Sequence, residues 1–306
     1  MSDAELTVRG VTIVDTFAEA FAMTAARLVI TAQSHEWAET AARTMCGYAT
    51  SVIGCDLEAG GICLLDSETT PDGRPGASVL AFAFSRDALE KALINRVGMC
   101  VMTCPTTACY NGLPIDEKAI SIGGKLRYFG DGWQISKRLQ GTRYWRIPVM
   151  DGEFTCEERF GTTKGVAGGN IIILGKDQSS TLAAASAAAQ AMRAVPDVVL
   201  PFPGGIARSG SKVGSKYKAL RASTNTAFAP TLRGLVPSDL PEQVTCAYEI
   251  VIDGLSVDAV ERATAVGIDT ACGPGIVAIT AGNYGGKLGK FHIRLHDAYH
   301  RFCRQG

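Results

Sequence analysis

A net charge is the first thing this chain lacks. Thirty Lys and Arg residues balance thirty Asp and Glu residues over 306 positions, so no overall field favours nucleic acid or an anionic membrane as a partner. Recognition has to come from local sites. Long apolar runs are missing as well. "SVLAFAF" is far short of a membrane span, and "MSDAELTVRG" has no basic flank followed by an apolar core, so a cytoplasmic protein is expected. Ten cysteines include no C-x-x-C, and a chain of this size needs no disulfide staples. Their closest group, Cys100, Cys104 and Cys109 in "CVMTCPTTAC", has no second pair elsewhere to complete a zinc site. Free core thiols and no metal are expected.

Familiar catalytic signatures are also absent. Neither "GSKV" nor "GGKL" supplies the G-K-[ST] ending of a P-loop. The glycine clusters "GVAGGN" (165–170) and "AGNYGGKLG" (281–289) precede predicted strands, so neither has the helix N-terminus of a dinucleotide turn. Bulges, tight turns or a close approach of backbone to a ligand or partner chain explain them equally well. His292, His296 and His300 in "FHIRLHDAYH" stand four apart, as a row of metal ligands on a helix would. The alternation of Phe291, Ile293 and Leu295 instead predicts a strand as far as His296, which takes the third histidine out of the row. His35 reads as a helix-surface residue. No Ser/His/Asp or Cys/His arrangement can be defended from spacing.

What the sequence does contain is an order of elements that occurs twice. "RLVITA" reads as a strand, followed by a helix in "SHEWAETAARTM" with Ser34 as its cap and Glu36 in its first turn. "ATSVIGC" and "ASVLAFAF" read as strands. A second helix runs from Ser85 with Leu89, Leu93 and Val97 on one side and Gly98 as its stop, before a strand in "MCVMTC". From residue 166 the order returns: strand "GGNIIIL", an alanine-rich helix from Ser180 to Ala194, strand "DVVLPF", strand "TCAYEIVI", a helix capped by Ser256, and strand "GIVAITA". The prediction is α+β, with two similar ferredoxin-like (split βαβ) sandwich lobes, an internal duplication, and long excursions at about 57–76 and 204–243. Between them, "DG" turns at Asp131-Gly132 and Asp151-Gly152 predict hairpins. The lobe boundary is placed near 150, giving an N-terminal lobe over 1–150 and a C-terminal lobe over 151–306. A split-βαβ fold also raises RNA binding, but "KGVAGGNI" lacks the base-stacking aromatics that an RNA-recognition strand presents.

Two features point to chemistry. The second excursion has no acid between Asp197 and Asp239, yet holds Arg208, Lys212, Lys216, Lys218, Arg221 and Arg233 among glycines and hydroxyls. That composition suits an anion, and it also suits a solvated basic loop. The other feature is Glu249 in "TCAYEIVIDG". On a period of two, Cys246, Tyr248, Ile250 and Ile252 share one face, and Glu249 shares the other with Ala247 and Val251. A carboxyl on an apolar face is held neutral, unless a nearby arginine pairs with it as a structural ion pair.

"DTFAEAF", "ETTPDGRPG", "RYFGDGW", "GVAGGN", "PFPGGIARSGSKVGSK", "ASTN", "YEIVIDGL" and "AGNYGGKLG", in register from about residue 9 to 296, closely resemble formylmethanofuran:tetrahydromethanopterin formyltransferases. The resemblance implies two α/β lobes, the proximal one over 1–150 and the distal one over 151–306, no prosthetic group, and a homo-oligomer, dimer or tetramer, with methanofuran held in a cleft between subunits. It implies reversible formyl transfer between methanofuran and tetrahydromethanopterin, both bound as substrates, through a tetrahedral intermediate. Glu249 then occupies the family's buried glutamate, as a neutral donor to the oxyanion. Ser211, Lys212, Lys216 and Asn225 are assigned to the anionic coenzymes from composition. Thr226 stands where archaeal members are expected to carry an acid, which removes any role for an acid there. The neutral composition, "TCPTTA" and "RYWRIPVMDGEF" resemble the bacterial branch, the D subunit of a formyltransferase/hydrolase complex with subunits A, B and C in methylotrophs. The alternative is a non-catalytic paralogue that binds a coenzyme or serves as a scaffold in that complex.

Overall fold

The structure, a computed structural model, describes residues 6–303. Strands β1 (Leu6–Val8) and β2 (Val11–Ile13) lead into the long β3 (Phe17–Thr31). Helix α1 (His35–Cys46) follows, then β4 (Glu58–Leu65), β5 (Gly76–Ala83), α2 (Arg86–Arg96) and β6 (Ala108–Asn111). The connecting region holds β7 (Ile120–Ser121), α3 (Gly123–Leu126), β8 (Ile135–Leu139), β9 (Thr142–Val149), β10 (Gly152–Glu157) and β11 (Arg159–Phe160). Next come β12 (Thr163–Gly175), α4 (Gln178–Arg193), β13 (Val198–Val199), β14 (Lys212–Val213) and β15 (Ala222–Ser223). The chain ends with β16 (Cys246–Gly254), α5 (Val257–Ala271), β17 (Ile276–Thr280), β18 (Phe291–Arg294) and α6 (Leu295–Cys303).

Two compact units result: one spans Met23–Gly165, the other joins the residues up to Ala22 to those from Val166 onward. The first unit extends to Gly165, because β10 pairs in parallel with β6 and keeps the β8–β10 meander with the N-terminal sheet. The first strands belong with the C-terminal part, since β2 pairs in parallel with β17. In both units the order is strand, helix, strand, strand, helix, strand. In both, the first of these strands is central, flanked by the third and fourth, and the second pairs with the third: β4-β5-β3-β6 in one unit and β13-β16-β12-β17 in the other. The result is a mixed α+β fold.

Helix starts agree with the sequence reading where a Ser caps them. The Oγ of Ser34, Ser85 and Ser256 accepts from the amides of Trp37, Ala88 and Ala259 at 3.4, 3.2 and 3.1 Å, each bond contributing about 1 kcal/mol to its helix. Helix α4 starts earlier than expected. Asp177 is its cap, with Oδ1 accepting from the Ser180 amide at 2.9 Å.

Several expected strands are something else. "ATSVIGC" closes on itself, the amides of Gly54 and Cys55 donating to the Ser51 carbonyl at 3.0 and 2.7 Å. The strand begins only at Glu58, inside the supposed first excursion, and its Gly-Gly pair marks a shift of register. "MCVMTC" is a π-helical turn, Val97–Val101, that continues α2 past Gly98. That glycine does not stop the helix; a Cβ there would lie 3.2 Å from Leu126 Cδ2, so its bareness admits α3. "DVVLPF" pairs only through Val198 and Val199. Asp131-Gly132 ends a 3-10 turn, and the β8–β9 hairpin turns instead at Gln140-Gly141, with φ of +49° and +85°. "FHIRLHDAYH" leaves its strand at Arg294, because Leu295, Ala298 and Tyr299 bury one face of a helix.

Among the described residues no helix is long and apolar enough to cross a membrane. In the unit that carries β16, the face formed by Ile171, Ile173, Ile250, Ile252 and Ile279 packs against Ala188, Met192, Val260 and Ile268 of α4 and α5. At about 1.5–3 kcal/mol per fully buried aliphatic side chain, this face fixes the register of β12, β16 and β17. The opposite face is thereby turned toward the excursion.

Candidate active site

The register places Glu249 opposite Ile172, and Ile172 opposite Thr280, in a row across three strands. Asn170 and Leu174 of β12 and Ala278 of β17 share that face. The excursion closes over it. Ala207 forms an antiparallel bridge to Glu249, its amide donating to the Glu249 carbonyl at 2.7 Å while the Glu249 amide donates back at 3.1 Å. Phe228, Leu240 and Val244 pack with Ile172, Leu174 and Ala278. The carboxyl of Glu249 is half-buried in this setting, and among the described residues no cation pairs with it. Burial pushes its pKa from 4.5 up to about 7.

Two cavities meet at this side chain. One, of about 440 Å³, is lined by the sheet residues and by Ser211, Lys212, Asn225, Asp239 and Tyr284. The other, of about 780 Å³, lies along Pro203, Arg208, Ser209, Gly210, Thr224 and Thr231. Glu249, Asn225 and Phe228 line both.

The structure thus brings Ser211, Lys212 and Asn225 to Glu249. Lys216 is exposed and lines neither cavity. Lys212 Nζ donates to Thr226 Oγ1 at 2.8 Å; a hydroxyl leaves its charge uncompensated, where an acid would neutralise it. Arg233 does not face an anion: its guanidinium donates to the carbonyls of Pro241, Glu242 and Val244 at 3.0, 2.9 and 2.8 Å, tying off the end of the excursion. The histidine row also has other work. His296 Nε2 lies 2.7 Å from the Ile13 carbonyl, and the ring of His292 packs on Phe17 with centroids 4.6 Å apart.

One residue of this region is absent from the sequence reading. Glu19 of β3 is buried, and its carboxylate accepts four backbone N–H bonds from the loop 284–289. Tyr284 and Gly286 donate to Oε2 at 2.7 and 2.9 Å, Leu288 to Oε1 at 2.5 Å, and Gly289 to Oε1 as well. Burial pushes this carboxyl up, and the four amides together outweigh it, holding the pKa below 4.5. The glycines follow from that shape: Gly286 has φ +72°, and a Cβ on Gly289 would stand 2.6 Å from Glu19 Cγ. "GVAGGN" is likewise a bulge inside β12, with Gly168 at φ +85° and its amide donating to Asp253 Oδ1 at 3.0 Å. The signal that could have found Glu19 is the one that found Glu249, a lone acid in an apolar strand.

A family model described as formylmethanofuran-tetrahydromethanopterin formyltransferase matches residues 6–149, and one described as the proximal lobe of FTR matches 152–298. A protein from Methylococcus capsulatus named formylmethanofuran–tetrahydromethanopterin formyltransferase is 54% identical, covering 95% of this chain and 98% of its own. The chain belongs to this formyltransferase family. The second description puts "proximal" on the half for which the resemblance implied the distal lobe. Another formyltransferase relative, the D subunit of the formyltransferase/hydrolase complex of Methylorubrum extorquens, is 47% identical, covering 96% of this chain and 97% of its own. The solved structure of that organism's formyltransferase/hydrolase complex with methylofuran superposes with a TM-score of 0.92 at 46% identity, covering 97% of this chain and 99% of the matched one.

Proposed function

We propose that this chain moves a formyl group reversibly between the amine of a methanofuran-type coenzyme and a ring nitrogen of a tetrahydromethanopterin-type coenzyme. The observation that carries the reading is the carboxyl of Glu249, which has no cation partner among the described residues, is raised by burial to about 7, and stands at the junction of two cavities. Transfer between two coenzymes needs a reacting centre that both reach. The acceptor nitrogen attacks the formyl carbon, the carbonyl oxygen gains negative charge, and the neutral carboxyl of Glu249 donates a hydrogen bond to it. A preorganised donor in a poorly hydrated site is worth far more there than in water. The C–N bond to the donor coenzyme then breaks, and its nitrogen recovers the proton that the attacking nitrogen released. An amine needs no enzyme nucleophile, and both coenzymes act as substrates, with no prosthetic group.

Ser211, Lys212 and Asn225 contact the coenzymes beside Glu249, and Lys216 meets an anionic tail outside the cavities. The two units are ferredoxin-like lobes descended from a duplication, a reading supported by their common strand order. The chain works in the cytoplasm as a dimer or tetramer, and in a hydrolase complex with subunits A, B and C; the membership of the Methylorubrum relative supports the latter. Mixing purified protein with a formylated coenzyme and its partner tests the activity. Transfer of the formyl group is expected, and no exchange by correctly folded protein would sink the reading.

A further inference from the structure

We propose that Glu19 is a positioning residue for formyl transfer: its carboxylate, by accepting four backbone amides of the 284–289 loop, fixes Tyr284 on the wall of the Glu249 cavity. The inference rests on the reading of that cavity as the reaction site.

An ionised carboxylate taken out of water is costly unless every lone pair is engaged. Here the donors come from a loop more than 260 positions away in sequence, four of whose amides converge on one anion. Tyr284 is itself one of the donors, so its side chain leaves directly from clamped backbone. The upstream end of the loop is anchored separately. Asn170 Oδ1 accepts from the Gly282 amide at 2.6 Å and its Nδ2 donates back to the Gly282 carbonyl at 3.0 Å, while Asn283 Nδ2 donates to Thr16 Oγ1 at 3.2 Å. Tyr284 therefore lies between two anchors, its ring 6.3 Å from that of Phe21. Burial, then the charges of Glu249 and Glu19, push its phenol pKa up, so the hydroxyl keeps its proton. The cavity wall then holds a second neutral O–H donor, and the Glu19 clamp fixes the glycine-rich loop on the downstream side of it.

The test is a double-mutant cycle on the full-length protein, with hydrogen exchange of the loop amides measured in parallel. Glu19→Gln should expose the amides of Gly286, Leu288 and Gly289 to exchange and lower kcat by about tenfold to a hundredfold, the range expected when a group near the reacting atoms is misplaced by about 1 Å. Glu19→Asp should recover part of that loss. In a Tyr284→Ala background, Glu19→Gln should cost less than about a further twofold, since the two residues act as one unit. Unchanged kcat in Glu19→Gln, or losses that multiply in the double variant, would overturn the inference. Should Glu19→Gln not fold, Glu19→Asp and Tyr284→Ala form the same cycle. Full activity in Glu249→Ala would overturn the reading of the cavity instead; loss there with full activity in Glu19→Gln overturns this inference alone.

Discussion

Glu19 and Glu249 are the same residue type in the same kind of strand, in the same compact unit, and their pKa values move in opposite directions. Glu19 is the less solvent-exposed of the two and its pKa is lowered, while burial raises that of Glu249 to about 7. The difference is the donor set: four backbone amides at Glu19, and at Glu249 a peptide neighbourhood whose amides are engaged in the sheet and in the Ala207 bridge. One acid is thereby a fixed charge that shapes a loop. The other is a carboxyl with a raised pKa that lines two cavities.

The largest break in this comparison is at Glu249. Glu249→Ala should lower formyl transfer by about 10²–10³-fold, the usual cost of removing one oxyanion donor. Glu249→Gln, which keeps an N–H donor, should retain more; equal and complete loss in both, measured by steady-state kinetics, would favour an ionised base. The clamp can be broken from the loop side. Gly289→Ala puts a Cβ 2.6 Å from Glu19 Cγ and 2.7 Å from the Ala20 carbonyl, and should cost about 1–3 kcal/mol in urea unfolding.

Stability against pH sharpens the contrast, because the two acids contribute with opposite sign. The folded pKa of Glu19 is lowered, so its contribution is present above 4.5 and lost as pH falls through the lowered value. Relative to wild type, Glu19→Gln should therefore be penalised at neutral pH and penalised less in acid. The folded pKa of Glu249 is raised, so wild type should lose stability as pH rises from 4.5 to about 7, and Glu249→Gln should remove that loss, on the order of 3 kcal/mol. The smallest effect is expected at Lys212. Thr226→Asp should pair with it and raise the KM for an anionic coenzyme about twofold to fivefold at low salt, the scale of an exposed ion pair.

Local patterns mark both acids alike but show what only one of them faces. The face assignment of β16 and the three serine caps follow from residues within a few positions of one another, and they needed no tertiary information. Glu19 sits between Ala18 and Ala20 with the same local signature as Glu249, but its partners are amides from the far end of the chain. Periodicity reports which side chains leave water; it is silent on which backbone donors arrive. The misread strands "ATSVIGC" and "MCVMTC" failed for a related reason. Both are short apolar runs, and a turn closed by Ser51 or a widened helical turn satisfies their amides as well as a sheet does. Lys216 and Arg233 were grouped with Lys212 by composition, and only the path of the excursion separates a cavity residue from an exposed lysine and a structural arginine.

The central claim is that the pKa values of the two glutamates are shifted in opposite directions, and a carbon-13 NMR titration of glutamate-labelled protein reads both carboxyls at once, with Glu19→Gln and Glu249→Gln assigning the signals. The account predicts a Glu249 signal that titrates near pH 7 and a Glu19 signal still ionised below pH 4.5. A Glu249 carboxyl that titrates with the ordinary carboxylates would contradict it.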